Sequence, residues 1–240
     1  MRKRLLKRLL LALLLVALTA CALPLLAQQL HYPADAEALA ALAPLDYTQG
    51  GDLLLIPADP TDATTGLIFY PGALVDHRAY APLLQHLADA GWLCISVKMP
   101  CYMAFTDINA ATDLMAAYPQ VERWYIGGHS LGGAMAASYA AGHADELAGL
   151  VLLASYSAAD LRDSDLQVCS IYGSRDTVLS KDSYAANAAN LPTGSAELVL
   201  IGGNHAGFGV YGPQKGDGSA TITAAEQQLS SAEFILSFCN

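Results

Sequence analysis

The sequence predicts an α/β fold, with a doubly wound, mostly parallel sheet between two layers of helices. Segments that are apolar throughout alternate with segments of helical periodicity, which is typical of parallel strands buried on both faces. In addition, 240 residues with 54% hydrophobic and 14% charged content suffice for one large core. No internal repeat or linker indicates a second domain.

Glycine and proline residues indicate where the predicted elements end. A helical pattern from residue 79 stops at Gly91, and the strand after it stops at Pro100. The next helix is expected to open with a Thr/Asp cap at Thr106 and to stop before Pro119. We predict strands in GLIFYPG, WLCISVKMP, RWYIGG, LAGLVLLAS, QVCSIYGS and ELVLIGG, and further helices in residues 33–42, SLGGAMAASYAAGH, residues 181–190 and residues 223–238.

The first 29 residues form a separate N-terminal segment, and the α/β domain is predicted over residues 30–240. Five basic residues lie in the first eight positions, and no charge follows from Leu9 to Gln29. This pattern is typical of an export signal or membrane anchor rather than of a buried helix. The run LTAC, which ends at Cys21, resembles a bacterial lipoprotein signal box, in which the cysteine is lipidated and becomes the first mature residue.

Three export devices remain open for this segment. The short apolar core from Leu9 to Leu18 suits a cleaved signal, and Cys21 then favours a lipoprotein. The 19 uncharged residues from Leu9 to Ala27 are also long enough to span a bilayer uncleaved. Ordinary cleaved secretion is the third device. In each case the positive-inside rule predicts a domain outside the cytoplasm.

The rest of the chain is strongly acidic. Beyond residue 29 it carries seven Lys and Arg against 22 Asp and Glu. Nucleic acid and anionic lipid surfaces are therefore poor partners, because like charges repel. We expect contact with a membrane through the N-terminal segment only.

The cysteines do not point to a metal or cofactor site. Cys94 and Cys169 lie in strand-like apolar runs, where small buried thiols are expected. No C-x-x-C pair and no His/Cys cluster of zinc spacing occurs. We therefore expect no metal and no organic cofactor, whereas a disulfide at Cys101 stays open.

The run GGHSLGG places Ser130 in a G-x-S-x-G pattern with Gly128 and Gly132. A pattern this short also occurs by chance, so its surroundings decide its meaning. A predicted strand precedes it and a helix rich in small residues follows it, as a nucleophile elbow requires. The two glycines leave room for the strained turn. Ser130 is therefore the candidate nucleophile.

An acid and a histidine follow the serine in the order that this elbow requires. Asp176 lies in YGSRD just past one predicted strand, and His205 lies in GGNHAGFG just past the next. Loops at the carboxyl ends of parallel strands meet at one edge of the sheet. We expect His205 to take the proton of Ser130 and Asp176 to orient the imidazole.

Through IFYPGALVD, GGHSLGG, YGSRD and GGNHAGFG the sequence resembles the α/β-hydrolase superfamily, in particular its compact bacterial branch related to dienelactone hydrolases. The resemblance runs from about Leu53 to the C-terminus. It implies an acyl-enzyme mechanism with an oxyanion hole formed by the N–H groups of Leu131 and Ala73. Relatives of the dienelactone hydrolase type often have a cysteine nucleophile, so their substrate does not carry over to a chain with Ser130.

The other histidines suit the role of base less well. His129 is adjacent to Ser130, so the two side chains diverge, and a packing or hydrogen-bonding role is expected for it. His31 precedes the domain. Surface or capping positions are expected for His77, His86 and His143.

The connection before the acid-bearing strand spans only residues from Tyr156 to Gln167. It leaves no room for a large lid, so an open or shallow pocket is expected. Phe208 and Tyr211 either line this pocket or pack within their own loop. Three acidic residues of the connection precede the strand whose end should carry the acid and suit a solvated loop, namely Asp160, Asp163 and Asp165.

These features predict an exported serine hydrolase that cleaves an ester or related acyl bond of a small-molecule acyl substrate. The alternative is a cell-envelope binding protein that keeps the fold without turnover. Thioesterase, lactonase and peptidase chemistry use the same triad and remain open.

Overall fold

A computed structural model describes residues 22, 24–42, 51–55 and 63–239. Its seven strands form one sheet, in the order β1-β3-β2-β4-β5-β6-β7. β1 runs antiparallel to β3, and every other neighbouring pair is parallel, so the predicted α/β fold is confirmed. The strands are β1 (Leu53–Leu55), β2 (Thr65–Tyr70), β3 (Leu93–Ser96), β4 (Arg123–His129), β5 (Gly149–Leu153), β6 (Gln167–Gly173) and β7 (Ala196–Leu200).

The helices alternate with these strands, as the apolar periodicity predicts. Short 3-10 turns extend or join several of them, and one of these follows His205 directly. The helices are α1 (Ala36–Ala41), α2 (Ala81–Asp89), α3 (Ala110–Ala117), α4 (Leu131–Gly142), α5 (Lys181–Asn187) and α6 (Ala224–Phe238). The 3-10 turns are His77–Tyr80, Pro100–Tyr102, Ala104–Thr106, Ala144–Glu146, Ala188–Asn190 and Ala206–Phe208.

Helices cover both faces of the sheet. Along β2, Leu67 and Phe69 belong to one apolar cluster, which includes residues of α2 and α6. Ile68 and Tyr70 belong to a second cluster on the opposite face, which includes residues of α3 and α4. Because side chains alternate across a strand, this division shows that the sheet is buried on both faces.

The register of the sheet brings the candidate residues to one edge. Tyr70 pairs with Gly128, and His129 pairs with Leu153. The carboxyl ends of β2, β4, β5, β6 and β7 therefore lie side by side, and the loops that follow them meet above this edge.

Two details differ from the prediction. The helix expected from Thr106 begins at Ala110, and its N-cap residue Asn109 makes no side-chain capping bond. The Thr/Asp cap was wrong because the hydroxyl of Thr106 donates instead to the carbonyl of Met103 within a 3-10 turn. The edge strand β1 was not predicted, since three leucines are too short a run to distinguish from loop.

Most of the expected N-terminal signal, residues 1–21 and residue 23, lies outside the described residues. Residues 24–30 are helical and expose Leu25, Leu26 and Leu30. Within the part of the chain that the structure describes, no helix has the length and apolar character to cross a membrane.

Candidate active site

Ser130 lies at a sharp turn between β4 and α4. Its backbone has φ 54° and ψ −122°, a strained combination that a residue other than glycine rarely adopts. The Ser130 N–H donates to the carbonyl of Leu153 at 2.9 Å, and the hydroxyl of Ser155 donates to the carbonyl of Ser130 at 2.8 Å. The end of β5 and the residues just after it therefore hold Ser130 in this strained conformation, and Ser130 remains partly exposed.

The glycines on either side of the serine are needed for close backbone approach. A Cβ atom at Gly132 would lie 2.1 Å from the carbonyl oxygen of Tyr70 and 2.3 Å from that of Pro71. A Cβ atom at Gly128 would lie 2.6 Å from the carbonyl oxygen of Tyr70. The elbow is thus in direct contact with the end of β2 and the loop after it.

Asp176 and His205 form a buried hydrogen-bonded pair. Oδ2 of Asp176 lies 2.8 Å from Nδ1 of His205, and the two residues are 4% and 1% exposed. Oδ1 of Asp176 accepts hydrogen bonds from the N–H groups of Val178 and Leu179, both at 2.8 Å.

Burial acts to raise the pKa of the Asp176 carboxyl, but its hydrogen bonds outweigh this effect. The bond from His205 and those from the two backbone N–H groups lower the pKa below its ordinary value. Asp176 is therefore a carboxylate at neutral pH. As an acceptor it fixes the proton of His205 on Nδ1 and leaves Nε2 with a lone pair.

The loop that carries His205 is held by a side chain that sequence reasoning missed. Gln227 in α6 is 1% exposed, and its Oε1 accepts from the N–H of Asn204 at 3.0 Å. Its Nε2 donates to the carbonyl of Asn204 at 2.8 Å. Asp217 adds a third bond, from the N–H of Ala206 at 2.9 Å. The only sequence signal for Gln227 was a polar residue on the inward face of an amphipathic helix.

Ser130 and His205 line one open cleft of about 300 Å³. Nε2 of His205 is buried and has no hydrogen-bond partner among the described residues. A buried nitrogen without a partner costs free energy unless a substrate or the serine hydroxyl supplies one. The cleft is also lined by Leu131, Ala134, Ala154, Ser155, Tyr156, Val178, Leu179 and Ser180.

The two residues expected to donate to the oxyanion differ in their position relative to this cleft. Leu131 lines it, whereas Ala73 is half-buried and is not among the residues that line it. Among the described residues, no acceptor is bonded to the N–H of Leu131 or of Ala73. The contact between Gly132 and the loop after β2 brings these two segments together.

Phe208 and Tyr211 do not line the cleft. They are 0% and 5% exposed and belong to the core cluster on the α2 and α6 face. The pocket-lining role was therefore wrong, and the alternative of loop packing describes both residues. The loop after His205 packs against the 3-10 turn His77–Tyr80, where the N–H of Val210 donates to the carbonyl of Ala79 at 2.8 Å and the ring centroid of Tyr211 lies 6.5 Å from that of Tyr80.

The remaining histidines divide into buried and peripheral ones. His129 is fully buried and bonds to Tyr80 rather than to Ser130, as expected for a packing and hydrogen-bonding role. His77 is 6% exposed and its Nε2 lies 3.0 Å from the carbonyl of Gly51, so its expected surface position was wrong.

In the described part of the chain, no group of three His, Cys, Asp or Glu residues has a geometry that could hold a metal ion.

The connection between β5 and β6 has no helix or strand from residue 154 to residue 166. It therefore adds no helical layer above Ser130, and the cleft stays open.

A family model described as the alpha/beta hydrolase family matches residues 66–229, which is more than half of the sequence. The chain belongs to the alpha/beta hydrolase family. The match covers the elbow, the Asp176–His205 pair and the first six residues of α6.

Solved structures of alpha/beta hydrolases and esterases share the fold. Est1E from Butyrivibrio proteoclasticus superimposes with a TM-score of 0.60 at 15% identity, over 78% of this chain and 93% of that chain. The esterase domain of a Rhodothermus marinus protein gives 0.58 at 13% identity, over 82% and 98%. XC6422 from Xanthomonas campestris, described as an a/b serine hydrolase without lid, gives 0.56 at 13% identity, over 78% and 88%. A search of curated protein sequences finds no significant match to this alpha/beta hydrolase.

Proposed function

We propose that this protein is a serine hydrolase that cleaves an ester or related acyl bond of a small substrate through an acyl-enzyme on Ser130. One observation carries the proposal. A strained serine opens onto the same cleft as a histidine whose Nδ1 is bound to a buried carboxylate and whose Nε2 has no partner among the described residues. This is the arrangement that nucleophilic acyl transfer requires.

The chemistry follows from the positions of these atoms. Oγ of Ser130 attacks the acyl carbon while Nε2 of His205 takes its proton, and Asp176 stabilises the resulting imidazolium. The N–H groups of Leu131 and Ala73 stabilise the oxyanion of the tetrahedral intermediate. His205 then returns the proton to the leaving alcohol. A water molecule, deprotonated by His205, attacks the acyl carbon, and His205 returns that proton to Oγ of Ser130 as the bond between Oγ and the acyl carbon breaks and the acid leaves.

The size of the cleft supports a small substrate. Its volume of about 300 Å³ lies at the lower end of the range for small-molecule sites, which is about 300–1,000 Å³. Est1E is solved with ferulic acid bound, and another structural neighbour is an esterase domain. Together with the cleft, these relatives favour an ester over a peptide as the substrate of this chain.

We further propose that the domain acts outside the cytoplasm and is attached to a membrane by its N-terminal segment. The basic and apolar residues before Gln29 support this proposal, as do the exposed leucines of residues 24–30 at the junction with the domain. The acidic remainder of the chain favours no contact with nucleic acid.

A fluorophosphonate probe tests the proposed nucleophile. We expect a covalent adduct that peptide mass spectrometry maps to Ser130. Hydrolysis of p-nitrophenyl acetate should be lost at the same rate as the sites become labelled. Ser130→Ala should lose both, whereas Ser237→Ala, at an exposed position in α6, should keep both. A folded wild-type protein without adduct or turnover would instead support a binding protein. Comparison of kcat/KM for thioesters, lactones and peptides with that for the ester shows which class of bond the protein cleaves.

A further inference from the structure

A buried tyrosine joins the loop after β2 to the residue before the nucleophile. Tyr80 and His129 are both 0% exposed. The N–H of Gly72 donates to the hydroxyl oxygen of Tyr80 at 3.0 Å, and this oxygen lies 2.9 Å from Nδ1 of His129. The hydroxyl of Tyr80 has one proton, and among the described residues Nδ1 of His129 is the acceptor recorded within hydrogen-bond distance of it. Nδ1 of His129 is then an acceptor, and its proton lies on Nε2.

The other side of His129 faces the candidate base. The ring centroids of His129 and His205 are 4.5 Å apart. Nε2 of His129 is buried beside the backbone of His205 and has no hydrogen bond of normal geometry with any described residue. Phe208 packs against the same ring, with centroids 5.8 Å apart. Among the described residues, Tyr80 and His205 are the titratable groups that a hydrogen bond or a ring contact places against His129.

We infer that Tyr80 and His129 are positioning residues for the reaction, because they connect the oxyanion loop at Gly72 to the base His205. The inference rests on the function proposed above. Gly72 directly precedes Ala73, whose N–H is a proposed oxyanion donor. A shift of the His129 ring therefore moves either the donor loop or the ring of His205, and both must be placed to within a fraction of an ångström for transition-state stabilisation.

The packing leaves little freedom for such a shift. A Cβ atom at Gly72 would lie 2.8 Å from Nδ1 of His129 and 3.1 Å from the hydroxyl oxygen of Tyr80. Burial, followed by the nearby imidazole of His205, lowers the pKa of His129 well below its ordinary value. His129 is therefore neutral, and it does not oppose the positive charge that develops on His205 during turnover.

Tyr80→Phe tests the connection while it keeps the ring. We expect kcat to fall about 10- to 100-fold with KM changed less than about threefold, because misplacement by about 1 Å costs about this much. Tyr139→Phe is the matched control. Tyr139 is 1% exposed, and its hydroxyl bonds to that of Thr112 at 3.0 Å, away from the cleft. The Tyr139→Phe variant should lose a free energy of unfolding similar to that lost by Tyr80→Phe, and it should keep the wild-type kcat.

Two variants of His129 separate positioning from packing. The amide oxygen of His129→Asn can take the place of Nδ1 and accept from Tyr80, whereas His129→Leu removes the acceptor. We expect His129→Leu to lose kcat as Tyr80→Phe does and His129→Asn to recover most of it. A readout independent of turnover is the ¹⁵N spectrum of the imidazoles, in which His129 should be the neutral Nε2–H tautomer in wild type and in Ser130→Ala.

The outcomes distinguish this inference from the proposed function. If Ser130→Ala is inactive but folded Tyr80→Phe has wild-type kcat, the positioning role is overturned and the hydrolase proposal stands. An Nδ1–H tautomer of His129 overturns the positioning role as well. If Ser130→Ala keeps full activity, the proposed function fails. Should His129→Leu not fold, Tyr80→Phe and the ¹⁵N spectrum decide.

Discussion

Nδ1 of His205 lies 2.8 Å from Oδ2 of Asp176, although 29 residues separate the two in the chain. The loops after β6 and β7 meet because these strands are parallel neighbours in the sheet. Two backbone N–H groups hold the second carboxylate oxygen, so Asp176 can turn only by breaking both of those bonds. The pair is therefore preorganised before a substrate binds.

Asp176→Asn should reduce kcat about 10⁴-fold, because an amide can donate to Nδ1 and stabilise the wrong tautomer of His205. The measurement is steady-state hydrolysis of p-nitrophenyl acetate. Asp160→Asn is the matched control, since Asp160 is a competing acid by sequence but is bonded to Arg162 on the surface. A loss below tenfold for Asp176→Asn, or a large loss for Asp160→Asn, would contradict the assignment of the acid.

The same carboxyl predicts a pH dependence of stability. The pKa of Asp176 is lower in the folded state, despite burial, because of the hydrogen bonds from His205, Leu179 and Val178. The carboxyl of an unfolded aspartate has a pKa of about 3.9. Its stabilisation is thus fully present above that pH and is lost as the pH falls through the lower folded value.

Urea unfolding of wild type and Asp176→Asn at several pH values checks this dependence. The difference in the free energy of unfolding should be constant between about pH 6 and 7 and shrink below about pH 4. A difference that stays constant down to pH 3 would show that the carboxylate form of Asp176 does not stabilise the fold.

The sequence predicted the parts of the site that depend on chain order and local pattern. Gly128, Ser130 and Gly132 form a local turn, and the ends of parallel strands bring Asp176 and His205 to the same edge. The directions of long side chains were harder to predict. Phe208 faces the core because of contacts with residues distant in the chain, which no local pattern records.

Gln227 and Tyr80 show the same limit for polar residues. Gln227 binds the backbone of Asn204 from a helix that lies 23 residues further along the chain. Tyr80 joins the backbone of Gly72 to the side chain of His129, which is 49 residues away from Tyr80. Their roles depend on tertiary placement, because a glutamine in a helix and a tyrosine in a turn are common in any fold.

Gly132→Ala should destabilise the protein by about 3 kcal/mol or prevent folding, because its Cβ atom would overlap the carbonyl oxygen of Tyr70. Gly142→Ala is the control in the same helix. No atom lies within 4 Å of a Cβ there, so alanine should be neutral or stabilise by up to about 0.5 kcal/mol. Urea unfolding measures both. Similar stability of the two variants would contradict the close contact between the elbow and the loop after β2.

The N-terminal segment predicts a modified mature protein. After expression in a bacterium with lipoprotein processing, mass spectrometry of the membrane fraction should find Cys21 as the first residue, carrying acyl chains. Cys21→Ser should block this processing. An intact Met1 in membranes would support the uncleaved anchor instead, and a soluble protein that begins after residue 21 without lipid would support ordinary secretion.

The open cleft predicts a preference for short acyl chains. The connection between β5 and β6 contributes no helix that would cover an acyl chain bound at Ser130. One methylene contact is worth only about 1–3 kcal/mol, and a chain that extends into water gains none of it. We expect kcat/KM for acetyl to butyryl esters to exceed that for dodecanoyl esters, without activation above the solubility limit of the substrate.

We expect Tyr156 to limit the length of the acyl chain that the cleft accepts. It lines the cleft and also a neighbouring cavity of about 260 Å³, which includes Leu152 and Leu191 and none of the candidate catalytic residues. Tyr156→Ala should join the two spaces and raise the ratio of kcat/KM for octanoyl over butyryl esters, because the longer chain then reaches apolar side chains. Ala134 lines the cleft away from that cavity, so Ala134→Gly should leave the ratio unchanged. A long-chain optimum in the wild type would mean that the acyl chain already passes Tyr156, and the short-chain preference would be wrong.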